Sequence, residues 1–241
     1  MNCLSLVKSD LCEPDVFEFT QLIRRSVESD GNCLFTALSY LISGEENPLA
    51  MRNHITSAFL DDIDRFKPFL QDADPLDYAT SILGVKELAW GGEIELIIAS
   101  RIFKIKIVVF DIARSVILEF NDSDVSNGFI LLAYNGIHYD PVVFTPSEAF
   151  TTQFTVKDDE IFGIRHQTAE FDFRRFIYSE SAVEAAKVHL KIVGEALHVS
   201  KQYVDEEKMS LICDDCQMKF SDTKAAQKHG ETTGHQNFRQ L

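Results

Sequence analysis

No stretch of the chain is apolar for anything near the ~20 residues that a membrane-spanning helix requires. The longest uninterrupted apolar run, FILLAY at 129–134, suits a buried strand. The opening residues, MNCLSLVKSDLCEPD, lack the apolar centre of a secretory leader, so the expectation is a protein of the cytosol, or of cytosol and nucleus. Cysteine is sparse and odd in number: Cys3, Cys12, Cys33, Cys213 and Cys216. Five thiols cannot form a fully paired disulfide framework, and they fit a reducing compartment. There is no internal repeat and no low-complexity tract. Basic residues are in deficit, with 23 Lys and Arg against 38 Asp and Glu. Most of the excess lies in residues 1–145, which carry 11 basic and 22 acidic side chains, whereas 211–241 carries four of each. Such a surface repels nucleic-acid phosphates, so no DNA partner is expected, and partners presenting basic groups are favoured.

What is present is the composition of a globular protein, 45% hydrophobic and 25% charged, in a 241-residue chain that suits one sizeable domain and a small appendage. Helical spacing is read over 14–25, 33–43, 47–66, 74–84 and 92–103. In the third of these Asn47 is placed to cap and Pro48 to occupy the first turn. Short β-branched runs follow at 104–111, 115–120, 128–134 and 137–144. Helices followed by strands predict an α+β domain, a mostly antiparallel sheet packed on helices. The expected divisions are an N-terminal segment 1–20, that domain over 21–150, a connector 151–210 with a helix near 181–200, and a separate module 211–241.

The segment SDGNCLFTAL (29–38) sets Cys33 at the start of an apolar helix. A helix N-terminus offers free N–H groups and a favourable dipole, which stabilise a thiolate and the oxyanion of an acyl-transfer intermediate. Gly31 permits the turn, and Asp30 or Asn32 is placed to cap the helix. Taken alone, a cysteine in such a place is more often structural. GIHYDPVVF (136–144) adds His138 and Asp140, two apart on a strand and so on one face, with Tyr139 on the other. A carboxylate beside an imidazole fixes its tautomer and supports the imidazolium formed when a thiol ionises. A third segment, WGGEIEL (90–96), holds the only tryptophan. It reads as a tight glycine turn into a helix whose Ile94, Ile97 and Ile98 pack in the core, with no catalytic role for Glu93 or Glu95.

Jointly, D-G-N-C-L-F at 30–35, W-G-G-E-I-E-L at 90–96 and G-I-H-Y-D at 136–140, in this order, resemble the ovarian-tumour (OTU) family of cysteine deubiquitinases over roughly residues 20–145. The resemblance implies a papain-like active site on an OTU fold and hydrolysis of isopeptide or peptide bonds at the ubiquitin C-terminus, without a catalytic cofactor. It implies Cys33 as nucleophile, His138 as base, Asp140 as the group orienting the histidine, and Asp30 in the loop whose backbone helps form the oxyanion hole.

Cys213-x2-Cys216-x12-His229-x5-His235 has the spacing of a two-Cys, two-His zinc finger. Two thiolates on a knuckle and two imidazoles on one helix would close a tetrahedral site for structural zinc in a ββα module, with Phe220 and Phe238 as its small apolar core. The base-reading positions of a DNA-binding finger would be Asp222, Ala225 and Lys228, a poor set for guanine. The sequence CDDC…AQKHGETTGHQNF resembles the C-terminal finger of one OTU branch. That branch implies polyubiquitin substrates, the ATPase valosin-containing protein as partner, and a role in protein quality control, endoplasmic-reticulum-associated degradation and the unfolded protein response. The branch also carries an N-terminal ubiquitin-like domain that docks the ATPase. Here about 13–20 residues precede the OTU-like region, which counts against that partnership. A ubiquitin-binding adaptor without turnover is the rival reading, and a finger that binds nucleic acid is a weaker one. The presence of nucleophile, base and orienter favours hydrolysis. Cys3 and Cys12 are expected as free thiols, His54 and His189 as surface or boundary residues, and His166 and His198 have no evident partner.

Overall fold

The computed structural model describes residues 11–12, 20–28, 30–70, 73–85, 89–121, 124–146, 172–204, 211–213, 215–221, 223–233, 235 and 238–240. Its elements are β1 (Leu11–Cys12), β2 (Thr20–Arg24), α1 (Cys33–Ser43), α2 (Pro48–Asp61), α3 (Ile63–Phe66), α4 (Pro75–Ile82), α5 (Glu93–Phe103), β3 (Lys106–Asp111), β4 (Val116–Phe120), β5 (Phe129–Tyr134), β6 (Tyr139–Pro146), β7 (Arg175–Phe176), α6 (Glu180–Val199), β8 (Leu211–Cys213), β9 (Lys219–Phe220), α7 (Thr223–Thr233) and β10 (Phe238–Gln240).

The α+β expectation describes this fold, with one sheet between two helical layers. The sheet runs β4-β3-β5-β6-β2, with β7 beside the start of β5 and β1 along β7. Its pairs are antiparallel except β3 with β5 and β1 with β7. Both faces are covered. On β3, Ile107 and Val109 enter the cluster formed with α1, α2, α4 and α5, while Val108 and Phe110 enter a second cluster with α6. On β5, Ile130 and Leu132 face the first cluster, and Phe129 and Leu131 the second. Strands buried on both sides read as unbroken apolar runs, which is why FILLAY carries no alternation. α6 lies so close to the sheet that a Cβ on Gly194 would come within 2.2 Å of the Phe110 ring, and glycine alone leaves that room.

Two expectations change. Of the helical spacing read over 14–25, residues 14–19 lie outside the described residues, and 20–24 form instead β2, paired antiparallel with β6 from Thr20↔Pro146 to Arg24↔Val142. The charges misled the pattern: Arg24 and Arg25 are buried in ion pairs with Asp140 and Asp172, so they are not an exposed helical face. The helix read over 47–66 breaks at Asp62, whose carboxylate accepts from Arg101 Nη1 at 2.7 Å. Its start is as expected, with Asn47 Oδ1 accepting from the Ala50 N–H and Pro48 in the first turn. The helix read at 181–200 is α6, which buries Ala182, Ala186 and Leu197 and half-buries Val193.

In the C-terminal module β8 pairs with both β9 and β10, so the expected ββα unit gains a third strand. Cys3, His166 and the side chains of Cys12 and Phe238 lie outside the described residues.

Candidate active site

Cys33 is the first residue of α1, half-buried and packed against the main core. The expected side-chain cap is absent: Asn32 occupies the cap position without bonding a helix N–H. Its polar atoms are committed elsewhere. Asp30 Oδ1 accepts from the Asn32 N–H and Oδ2 from Asn32 Nδ2, both at 2.9 Å, while Asn32 Oδ1 accepts from Arg52 Nε at 2.8 Å. The first N–H groups of α1 are therefore left uncapped by Asn32 beside the thiol, which suits an anion. Gly31, at φ +79°, makes the turn.

His138 ends a tight turn just before β6. Asn135 shapes that turn: its Oδ1 accepts from the Ile137 and His138 N–H groups, and its N–H donates to the His138 carbonyl. The structure brings three of the four predicted residues together. His138 Nε2 stands 3.1 Å from Asp140 Oδ1, and the Cys33 thiol is near enough to favour the charged form of the imidazole. With Asp140 as a carboxylate, Nε2 is the donor. Burial opposes charge on this ring. The hydrogen bonds and charges of Asp140 and Cys33 together outweigh it and carry the pKa from 6.5 up to about 10. Asp140 is almost wholly buried; Oδ1 also accepts from the Val27 N–H at 3.2 Å, and Arg24 Nε lies 3.7 Å from Oδ2. Tyr139 turns the other way into the core and stacks on Tyr134, as strand alternation requires. Asp30, the fourth, lies in the nucleophile loop and bonds Asn32 rather than His138.

The Trp-Gly-Gly segment borders the same region. Gly91 abuts α1, where a Cβ would lie 2.6 Å from Leu34 Cδ2. Gly92 precedes α5, and its N–H donates to Glu95 Oε2 at 2.7 Å, while Tyr78 donates its hydroxyl to Glu95 Oε1. Glu95 thus ties down the loop from inside the protein. Ile98 is buried and Ile94 and Ile97 pack against the core, but Trp90 is exposed. A cleft of about 660 Å³ opens between Trp90–Glu93, Gly136, Ile137 and Tyr203, with Cys33 and His138 outside its lining.

Sequence reading missed Arg52. Its guanidinium, 2% exposed, donates to Asn32 Oδ1 and to the carbonyls of Gly31, Ile82 and Ala89, and stacks 3.8 Å above the Phe35 ring. Burial lowers its pKa, and the charges of Glu95, Asp30 and Cys33 oppose that fall. One side chain therefore joins the nucleophile loop, the end of α4 and the residue before Trp90. A signal existed: Arg52 begins the stripe Arg52, Ile55, Thr56, Phe59, all buried at helical spacing. Arg52→Met should destabilise the fold by about 3–5 kcal/mol, because several buried acceptors lose their donor at once. Urea denaturation measures this, and a change within the error of wild type would refute the role.

Cys213, Cys216, His229 and His235 bring one ligand atom each within 4.8 Å of one another. Tetrahedral zinc with ordinary bond lengths sets N···N about 3.3 Å and N···S about 3.6 Å apart. Here His229 Nε2 and His235 Nδ1 are 3.2 Å apart, Cys216 Sγ and His229 Nε2 3.3 Å, and Cys213 Sγ and His235 Nδ1 3.6 Å, so the set fits the ion. One detail differs from expectation: α7 ends at Thr233, so only His229 of the pair is helical. Six residues along a continuous helix would turn His235 about 240° away from His229. Phe220 lies against the His229 ring. Among the remaining histidines, His54 and His189 are half-buried against Phe103 and Phe144, and His198 does have partners, the Ile112 carbonyl and the Tyr203 ring.

Residues 28–141 match the family described as OTU-like cysteine protease, and residues 207–241 the C-terminal C2H2-type zinc finger of ubiquitin thioesterase OTU1. The chain is 28% identical to ubiquitin thioesterase Otu1 of Drosophila melanogaster over 235 residues, which is 91% of this chain and 57% of that protein. It is 28% identical to ubiquitin thioesterase OTU1 of Saccharomyces cerevisiae over 214 residues, 89% of this chain and 62% of that one. An ovarian tumor domain-containing deubiquitinating enzyme 2 of Arabidopsis thaliana is 26% identical over 91% of this chain and 97% of its own length. The chain thus spans about three-fifths of the fly and yeast relatives. A solved ovarian tumor (OTU) domain in complex with ubiquitin shares the fold, with a TM-score of 0.58 at 24% identity over 76% of this chain and 90% of that one.

Proposed function

We propose that this chain, whose residues 28–141 match the OTU-like cysteine protease family, is a deubiquitinating thiol hydrolase, with Cys33 as nucleophile, His138 as general base and acid, and Asp140 holding the imidazole. One observation carries this reading: a single half-buried imidazole lies between the thiol at the start of α1 and the carboxylate of β6. The raised pKa of His138 means that the imidazolium persists when the thiol has lost its proton. The thiolate adds to the carbonyl carbon of the ubiquitin C-terminal glycine, and the carbonyl becomes an oxyanion facing N–H groups of the Asp30–Cys33 turn. His138 gives its proton to the leaving amine, the C–N bond breaks and a thioester remains. The neutral imidazole then takes one proton from water, whose oxygen attacks the thioester; collapse breaks the C–S bond, restores thiolate and imidazolium, and frees the ubiquitin carboxylic acid, which loses its remaining proton to solvent. None of these steps uses a metal.

Polyubiquitin on proteins handled by quality control and endoplasmic-reticulum-associated degradation is the proposed substrate, and the ATPase valosin-containing protein a proposed partner. The proposed compartment is the cytosol, with access to the nucleus. Zinc would be held by Cys213, Cys216, His229 and His235 and would supply structure, by cross-linking the knuckle to α7. Incubation with ubiquitin bearing a C-terminal electrophile, followed by peptide mass spectrometry, tests the site. The expected product is a single adduct on Cys33; an adduct on another cysteine, or none, would sink the assignment.

A further inference from the structure

The match to the protease family ends at residue 141, and no role attaches to the chain between there and the finger. Its described part, 172–204, nevertheless reaches the back of the candidate triad at several points. At its start Asp172 accepts two bonds from Arg25, at 2.7 and 2.8 Å, and one from the Tyr40 hydroxyl. α6 then crosses the sheet through Ala182, Val183, Ala186, Leu190 and Leu197. Its end is fixed by backbone geometry. Lys201 takes the left-handed conformation at φ +55°, and the Gln202 N–H donates back to the Leu197 carbonyl. His198 donates to the Ile112 carbonyl and stacks on Tyr203, 5.0 Å between centroids.

That ending delivers two groups to the site. Gln202 Oε1 accepts from Arg24 Nη2 at 3.1 Å, and the same guanidinium faces Asp140 through Nε at 3.7 Å. The Val204 N–H donates at 2.7 Å to the carbonyl of Asn135, the residue whose side chain holds the His138 turn. Gly136 permits this approach: at φ +104°, a Cβ there would stand 2.3 Å from the Val204 oxygen.

The chemistry of Arg24 gives the first contact its meaning. Guanidinium and imidazole compete for one buried carboxylate, and a free guanidinium grips a carboxylate through two parallel N–H bonds. With Nη2 engaged by Gln202, Arg24 offers Asp140 only Nε at a long distance, and Oδ1 remains for His138 and Val27. We propose that residues 198–204 form a clasp that positions the catalytic pair, Gln202 acting through Arg24 on Asp140 and Val204 acting through Asn135 on His138. Gln202 and Arg24 are positioning residues, and the clasp rests on the roles given above to His138 and Asp140.

The test is the rate of adduct formation by the full chain with the ubiquitin electrophile, resolved into maximal rate and half-saturating concentration. Gln202→Ala should lower the maximal rate about ten- to a hundredfold, the effect of a small misplacement in a preorganised site. The half-saturating concentration and melting temperature should not change, and Gln202→Glu, which keeps the acceptor, should restore the rate. The clasp is overturned if Gln202→Ala reacts like wild type, if its loss lies wholly in half-saturation, or if Gln202→Glu is as slow as Gln202→Ala. Absence of any Cys33 adduct in wild type would instead remove the hydrolase reading, and the clasp with it.

Discussion

His138→Ala should lower kcat/KM for ubiquitin hydrolysis by about 10² to 10⁴-fold, the range for removing a general base that also activates the nucleophile. Cys33→Ala should abolish turnover and adduct formation altogether. The pH dependence follows from the sign of the shift. The folded state raises the His138 pKa from 6.5 to about 10, so its charged form is favoured by folding. That contribution is complete below pH 6.5 and disappears as pH rises through about 10. Wild type should therefore lose stability progressively from about pH 6.5 up to about pH 10 and lose kcat/KM as pH passes about 10, whereas His138→Ala should show no stability loss from this group in that window. Asp140→Asn keeps an oxygen toward Nε2 and should be the mild variant. Asp140→Ala should be harsher in stability as well as rate, since it leaves the buried Arg24 without its carboxylate. Stopped-time hydrolysis and urea denaturation across pH 6 to 11 separate these outcomes, and an alkaline stability loss in His138→Ala equal to that of wild type would refute the assignment of the shift.

The residues proposed here for the chemistry carry local marks in the sequence. Cys33 is marked by the glycine turn and apolar helix around it, His138 and Asp140 by strand spacing, and the four ligands of the finger by their intervals. What holds them is not local. Asp172 lies 147 positions from Arg25, and Gln202 lies 178 from Arg24, so no window of the sequence contains either pair. β2 was hidden for a related reason. Two adjacent arginines look like a solvated face, and only partners from distant chain reveal that both are buried. Arg52 is intermediate, visible as a charge out of place on an apolar stripe but explicable only once three carbonyls converge on it. The helix break between His229 and His235 could have been inferred, because a continuous helix cannot point both rings at one ion.

Removing zinc from the full chain should unfold the C-terminal module while leaving the protease domain folded. The reason is the size of the core. Among the residues of 211–240 whose side chains are described, only Ile212, Cys213, Ala226 and His229 are buried, and two of these belong to the Cys/His cluster. Apolar burial of that extent cannot offset the ordering of some thirty residues, and domains below about 40 residues usually need metals or disulfides. A structural zinc site in such a module supplies an apparent 10–16 kcal/mol, roughly, and that binding energy is its folding energy. The sheet of the protease domain has its own clusters on both faces and takes nothing from the finger core. Hydrogen exchange of the full chain with and without a strong chelator reads both halves. Protection at Ile212 and Ala226 should vanish, as it should in Cys213→Ala, while protection on β3 and β5 persists. Adduct formation at Cys33 should also persist, because Gln202 and Val204 are held by α6 and by the Arg24 and Asn135 contacts rather than by the ion. Retained protection at Ile212 after chelation would show that the module folds on its own and that these four residues are not its cross-link.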